Sequence, residues 1–168
     1  WRILAACALA VVYAFATRTR LAPVLRFAPA VFAVVILGHV LFDPTIVGSD
    51  RLSTTPFFNQ LLLNYGGFFA AMTVAQLVLA KGTKDTAYRL AQALAVLAGF
   101  VLVNILVRHW MNGGTLDSGG DVTLSEQSLY TLIALGGSLS LMMLSRGGQD
   151  WLYRIAALIV GYVGILVA

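Results

Sequence analysis

Residues 88–107 read YRLAQALAVLAGFVLVNILV, and past Arg89 they contain no Asp, Glu, Lys or Arg. Only the amides of Gln92 and Asn104 break the apolar run. A helix needs about 20 mostly apolar residues to cross the hydrocarbon of a bilayer, and this stretch supplies them. Lipid, not a water-excluding core, is the expected solvent.

Working outward, comparable apolar stretches lie at 1–16, 21–42, 57–80, 125–144 and 151–168, separated by polar loops. The chain is 60% hydrophobic and only 11% charged, with a mean hydropathy of +0.87. A water-soluble domain carries about twice that share of charge. The expected fold is all-α, a polytopic transmembrane helical bundle of about six spans arranged as repeated helical hairpins in a single transmembrane domain, 1–168.

The loops alternate in charge. Arg18, Arg20 and Arg26 mark the first, Lys81, Lys84 and Arg89 the third, Arg146 and Arg154 the fifth. Positively charged loops stay on the cytoplasmic side, so loops 17–20, 81–87 and 145–150 are expected there. Loops 43–56 and 108–124 carry Asp43, Asp50, Asp117, Asp121 and Glu126 against Arg51 and Arg108, which suits the extracytoplasmic side. Trp1, Trp110, Trp151, Tyr88 and Tyr153 fall near helix ends, where an amphipathic ring keeps its polar atom wet and its body in lipid.

The sequence begins at Trp1 without Met and stops inside the apolar run 165–168, so a piece of a larger membrane protein is expected. Cys7 is the single cysteine, which leaves no disulfide framework and no thiolate metal site. The net charge of +4 sits at the ends of apolar stretches and forms no basic groove, so no nucleic-acid partner is expected. Membrane lipids are the expected partners, along with other membrane subunits or the missing flanks of the same chain.

An internal echo supports the hairpins. Lys81, Gly82, Asp85, Tyr88 and Arg89 recur in order and spacing as Arg146, Gly147, Asp150, Tyr153 and Arg154. Glycine is expected to close one helix in a left-handed cap and aspartate to cap the next. Tyrosine then sits at the interface, and arginine snorkels above the aspartate. Duplication and convergence both explain the echo, since any inner turn favours basic residues and glycine. Small residues four apart, in the pairs Gly66/Ala70, Gly67/Ala71, Gly136/Ser140 and Ala157/Gly161, are expected at helix contacts within the chain.

Polar residues inside the spans are where chemistry is expected. The pairs His39/Asp43, Asn104/Arg108, Gln60/Asn64 and Glu126/Tyr130 each stand four residues apart, hence on one helix face, all toward the extracytoplasmic leaflet. His39, Asp43, Asn104, Arg108, His109, Glu126 and Tyr130 form a candidate outer polar crevice. There His39 or Glu126 can exchange protons, and Arg108 with His109 can hold an anionic head group or substrate. The competing reading is structural, because groups one turn from a helix end reach water by snorkelling.

For Glu126 the competitor is sharper, since Thr123-Leu124-Ser125-Glu126 spells a capping box. Two histidines and no His/Cys cluster suggest no metal site, and no cofactor motif is present. Gly113, Gly114, Gly119 and Gly120 lack the preceding strand and following lysine of a phosphate loop. Deep in the spans stand Gln76 and Gln92 but no ionisable residue of the kind that relays protons in pumps.

Arg108, His109, two glycines, then Thr123, Leu124, Ser125, Glu126, Leu129, Tyr130 and a methionine-leucine helix end together carry a likeness. This stretch resembles a large bacterial family of many-helix predicted membrane proteins, known only as a domain of unknown function. The resemblance implies a bacterial cytoplasmic membrane location, further helices beyond this chain and no established activity. It highlights Arg108, His109, Glu126 and Tyr130.

Three classes of function follow as expectations. The first is a membrane scaffold or a protein handling lipids and envelope precursors. The second is a transporter or flippase, and the third an envelope-modifying transferase with an extracytoplasmic site whose catalytic residues are not identified.

Overall fold

The computed structural model describes residues 2–17, 23–41, 55, 58–114, 116, 122–145 and 151–167. Among them there are six α-helices and no strand. Helix α1 is Arg2–Ala16, and α2 is Ala28–Leu41 after a 3₁₀ segment, Pro23–Phe27. Helix α3 is Gly67–Ala80, continuous with a π-helical turn, Leu62–Gly66. Helices α4, α5 and α6 are Thr86–Met111, Leu124–Leu144 and Trp151–Val167.

Leu62–Ala80, Thr86–Met111 and Leu124–Leu144 are long and apolar enough to cross a membrane, while the other three helices are shorter and also apolar. Local chemistry explains where the ends depart from expectation. Pro29 has no N–H to offer a preceding carbonyl, and the chain just before α2 winds as 3₁₀. Helix α4 runs four residues past Val107, so Arg108, His109 and Trp110 are helical rather than loop. It stops where Gly113 and Gly114 turn to φ of 62° and 101°, a backbone region open chiefly to glycine.

By its contacts the chain divides into two compact units, Trp1–Ser118 and Gly119–Ala168. In the first, α1 packs between α2 and α3, and α3 packs on α4. Its core takes Ile3, Cys7 and Ala10 from α1 and Ala30, Ala33 and Ile36 from α2. Phe68, Ala71 and Met72 come from α3, and Leu94, Ala95 and Ala98 from α4. Six of these twelve are alanines, packed around Phe68, Met72 and Ile36, whereas many other large apolar residues, such as Val12, Val31, Val34, Val35, Leu77 and Leu97, are exposed. So many exposed large apolar side chains are unusual for a water-soluble protein and suit lipid, where close packing holds helices together.

At one end of this unit Arg26 reaches across to the turn between α3 and α4. Its Nη2 donates to Asp85 Oδ1 at 3.1 Å and to the Thr83 carbonyl at 2.9 Å, while Nε lies 2.9 Å from Asp85 Oδ2. The Nε arm is close but poorly aligned, so it adds charge attraction and not a well-formed hydrogen bond. Asp85 also accepts from the Tyr88 N–H at 3.1 Å, capping α4 as expected.

Two other expectations for this turn are corrected. Gly82 is not a left-handed cap: helix α3 ends through right-handed Lys81, and a side chain at Gly82 would meet Arg26 Nη1 at 3.3 Å. Its smallness makes room for the guanidinium. Tyr88 is buried against Leu79 and Ala91 and does not sit out at an interface. The first three positions of the echoed copy, Arg146, Gly147 and Asp150, lie outside the described residues.

The second unit is the antiparallel hairpin of α5 and α6. Ser138 Oγ donates to the Ala157 carbonyl across the pair at 2.7 Å. A side chain on Gly161 would strike Ser138 Oγ at 2.9 Å, and one on Gly164 would strike Ala134 Cβ at 2.7 Å. Of the four small-residue pairs, Ala157/Gly161 lines this contact, and Gly67/Ala71 lines another, Gly67 lying against Leu4 of α1. Gly66 meets only Leu62 of its own turn, and Gly136 has nothing near it. Those two pairs are not helix contacts, because small size permits an approach without compelling one.

Two measurements test this packing. Asp85→Ala should cost about 1 kcal/mol more than Asp85→Asn, since asparagine keeps the cap and both lose the ion pair; equal losses in detergent unfolding would show the cap to be idle. Gly164→Val should weaken the α5–α6 contact by about 1–3 kcal/mol through overpacking, with Gly136→Ala near neutral, and similar effects at both sites would contradict the described interface.

Candidate functional site

Asn59 precedes the helix that begins at Gln60 and acts as its cap: Leu62 N–H donates to Asn59 Oδ1 at 3.0 Å and Leu63 N–H to the Asn59 carbonyl at 3.2 Å. The other end of the amide, Nδ2, donates to the Thr55 carbonyl at 3.2 Å. Thr55 Oγ1 in turn donates to the Phe58 carbonyl at 2.8 Å. A backbone N–H on one side and a carbonyl on the other admit only one orientation of the amide.

That orientation determines a histidine. Asn59 Nδ2 lies 3.3 Å from His109 Nδ1, and because the asparagine nitrogen can only donate, Nδ1 accepts. The proton of the neutral ring therefore sits on Nε2. His109 is 1% exposed, and among the described residues Nε2 has no hydrogen-bond partner. A buried donor left in this state costs about 1–3 kcal/mol, which makes it a place where an acceptor is wanted.

The surroundings are firm. Tyr65, from the π-helical turn, packs with Leu61 and Leu116 against Val101, Leu102, Ile105 and Leu106 of α4. The last turn of α4 is closed by Asn112 N–H to the Arg108 carbonyl at 3.0 Å and Gly114 N–H to the His109 carbonyl at 3.0 Å. Trp110 is 48% exposed, as befits a ring at a membrane surface.

In the second unit, Tyr130 donates its hydroxyl proton to Glu126 Oε1 at 3.1 Å, joining that expected pair. Thr123 Oγ1 accepts from the Glu126 N–H at 3.3 Å, the threonine half of the expected capping box. The Glu126 carboxylate is buried at 0% exposure. The structure thus brings Asn59 to His109 and Tyr130 to Glu126.

The remaining candidates fall elsewhere. Asn104 Nδ2 donates to the Phe100 carbonyl of its own helix at 2.7 Å. His39 is exposed in the last turn of α2, and Asp43 lies outside the described residues. Asn64 is in the π-helical turn and Gln60 is exposed at the helix start. Among the described residues, no group of three or more His, Cys, Asp or Glu gathers as a metal site.

Thr55 and Asn59 were not among the sequence candidates. The signal for Asn59 was its type, a strong helix cap, obscured because the apolar run begins before it at Phe57.

Nitrogen NMR of the labelled protein should find His109 protonated at Nε2 and bare at Nδ1. Asn59→Asp preserves the cap but turns the donor into an acceptor, so Nδ1 should gain a proton; a wild-type spectrum already protonated at Nδ1 would refute the assignment. Compared with known proteins, the chain matches no family model, no curated protein and no solved structure.

Proposed function

We propose that this chain is a polytopic protein of the bacterial cytoplasmic membrane that serves as a scaffold or handles lipids and envelope precursors, within the many-helix family that residues 108–144 resemble. The observation that carries this reading is the outer surface: leucine, valine and isoleucine turned outward in each unit, with alanine, glycine and serine among the residues at helix contacts. Such surfaces need a lipid solvent. In this reading all six helices cross the bilayer, with the basic loops inside. The Arg26–Asp85 pair supports the orientation, because it joins the first and third loops at one end of the unit.

A transporter or flippase is the second reading, favoured by the π-helical turn at Leu62–Gly66 inside a membrane-length helix. Such turns often mark functional positions, and this one follows directly on the Asn59 cap.

Three measurements test the reading together. The protein should resist carbonate extraction, a reporter at Lys84 should be active only in the cytoplasm, and protein purified in mild detergent should retain amphiphiles by native mass spectrometry. Extraction by carbonate would sink membrane immersion, and an external Lys84 reporter would sink the orientation. A lipid-free preparation that moves a labelled solute or lipid across vesicles would favour transport over scaffolding.

A further inference from the structure

We infer that the end of the first unit closed by Arg26 and Asp85 is a docking surface for anionic lipid headgroups, with Lys81 and Lys84 as its cations and Val24 and Phe27 as its apolar anchors. The inference rests on the reading of the chain as a lipid-immersed protein and adds which lipids gather at which end.

Charge is the first ground. Asp85 is the only Asp or Glu among the described residues of this unit, and Arg26 and the Tyr88 N–H already hold it. Lys81 and Lys84 stand exposed in the same turn, and among the described residues neither pairs with a carboxylate. The Lys84 ammonium lies 5.9 Å from the centre of the Tyr88 ring, a contact that keeps it at this end. The turn therefore presents positive charge that its own carboxylate does not neutralise.

Apolar exposure is the second ground. Val24 is 76% exposed and Phe27 42%, both in the 3₁₀ segment that leads into α2. Arg26 lies between them in sequence and ties that segment to the basic turn, since its Nη2 donates to the carbonyl of Thr83, the residue before Lys84, and to Asp85. Cations and anchors are thus held together as one surface. Apolar side chains beside cations are what hold an interfacial segment to an anionic membrane.

The leaflet supplies both complements. Lipid phosphates accept from the ammonium groups and carry the opposite charge, while the acyl boundary covers Val24 and Phe27. A soluble acidic partner would answer the lysines but not the apolar pair.

In the test, the whole chain in non-ionic detergent is offered equal amounts of phosphatidylglycerol and phosphatidylethanolamine, and native mass spectrometry reads the ratio retained. Phosphatidylglycerol should be favoured. Lys81→Gln and Lys84→Gln should each lower the ratio about fivefold. Asp85→Asn keeps the helix cap, removes the local carboxylate and should raise the ratio, which a merely structural role for the turn would leave unmoved. Val24→Ser with Phe27→Ser should lower retention of both lipids. A photoreactive phosphatidylglycerol should attach within 23–27 or 81–89.

Retention of both lipids without preference, or a preference that survives the loss of both lysines, would overturn the docking surface and leave lipid handling standing. Attachment confined to other segments, an unmoved ratio in Asp85→Asn or unchanged retention in the serine variant would do the same. Retention of neither lipid would overturn the surface and the lipid-handling reading together.

Discussion

Close approach between helices, permitted by small side chains, is the constraint on which the rest of the structure depends. Lipid tails are as apolar as leucine, so sequestering leucine from them gains little. What remains is contact area between backbones and the few hydrogen bonds that close contact allows. The first unit obtains this with Ala10, Ala33, Ala75 and Ala98, all fully buried. The second obtains it with Gly161 and Gly164 against Ser138 and Ala134, close enough for the Ser138 hydroxyl to reach the Ala157 carbonyl.

Once the middles of the helices are given over to packing, polar side chains concentrate toward the ends, and the two ends of the first unit use them differently. Arg26 and Asp85 pair and close a turn, with Gly82 leaving room for the guanidinium. At the other end, Asn59 is saturated by its own loop and helix and hands its last donor to His109. The result is a histidine with one nitrogen occupied and the other, among the described residues, without a partner. Gln92 is a third case, a buried amide in α4 whose nitrogen has no partner among the described residues, for which the packing offers no physical account.

The helices were legible because long apolar stretches between polar loops mark them out, and each expected apolar stretch contains a helix. Their ends were less so. Charge at Arg108 suggested a boundary, yet a helix stops only when its backbone finds another course, which Gly113 and Gly114 supply a turn later. Side chains four apart were correctly paired at Glu126 and Tyr130 because one helix holds both. The same rule could not reach Asn59 and His109, or Arg26 and Asp85, which lie far apart along the chain.

By itself, then, the amino-acid order determined an all-helical chain fit for lipid, the cap at Asp85, the cap at Thr123 and the local Glu126–Tyr130 pair, since each depends on residues within one helical turn or on bulk hydropathy. Tertiary structure alone decided which glycines are contacts, that Gly82 serves an arginine instead of a cap, that Tyr88 turns inward, and which nitrogen of His109 bears the proton. Those outcomes depend on what a neighbouring helix places within a few ångströms, and no local pattern encodes that distance.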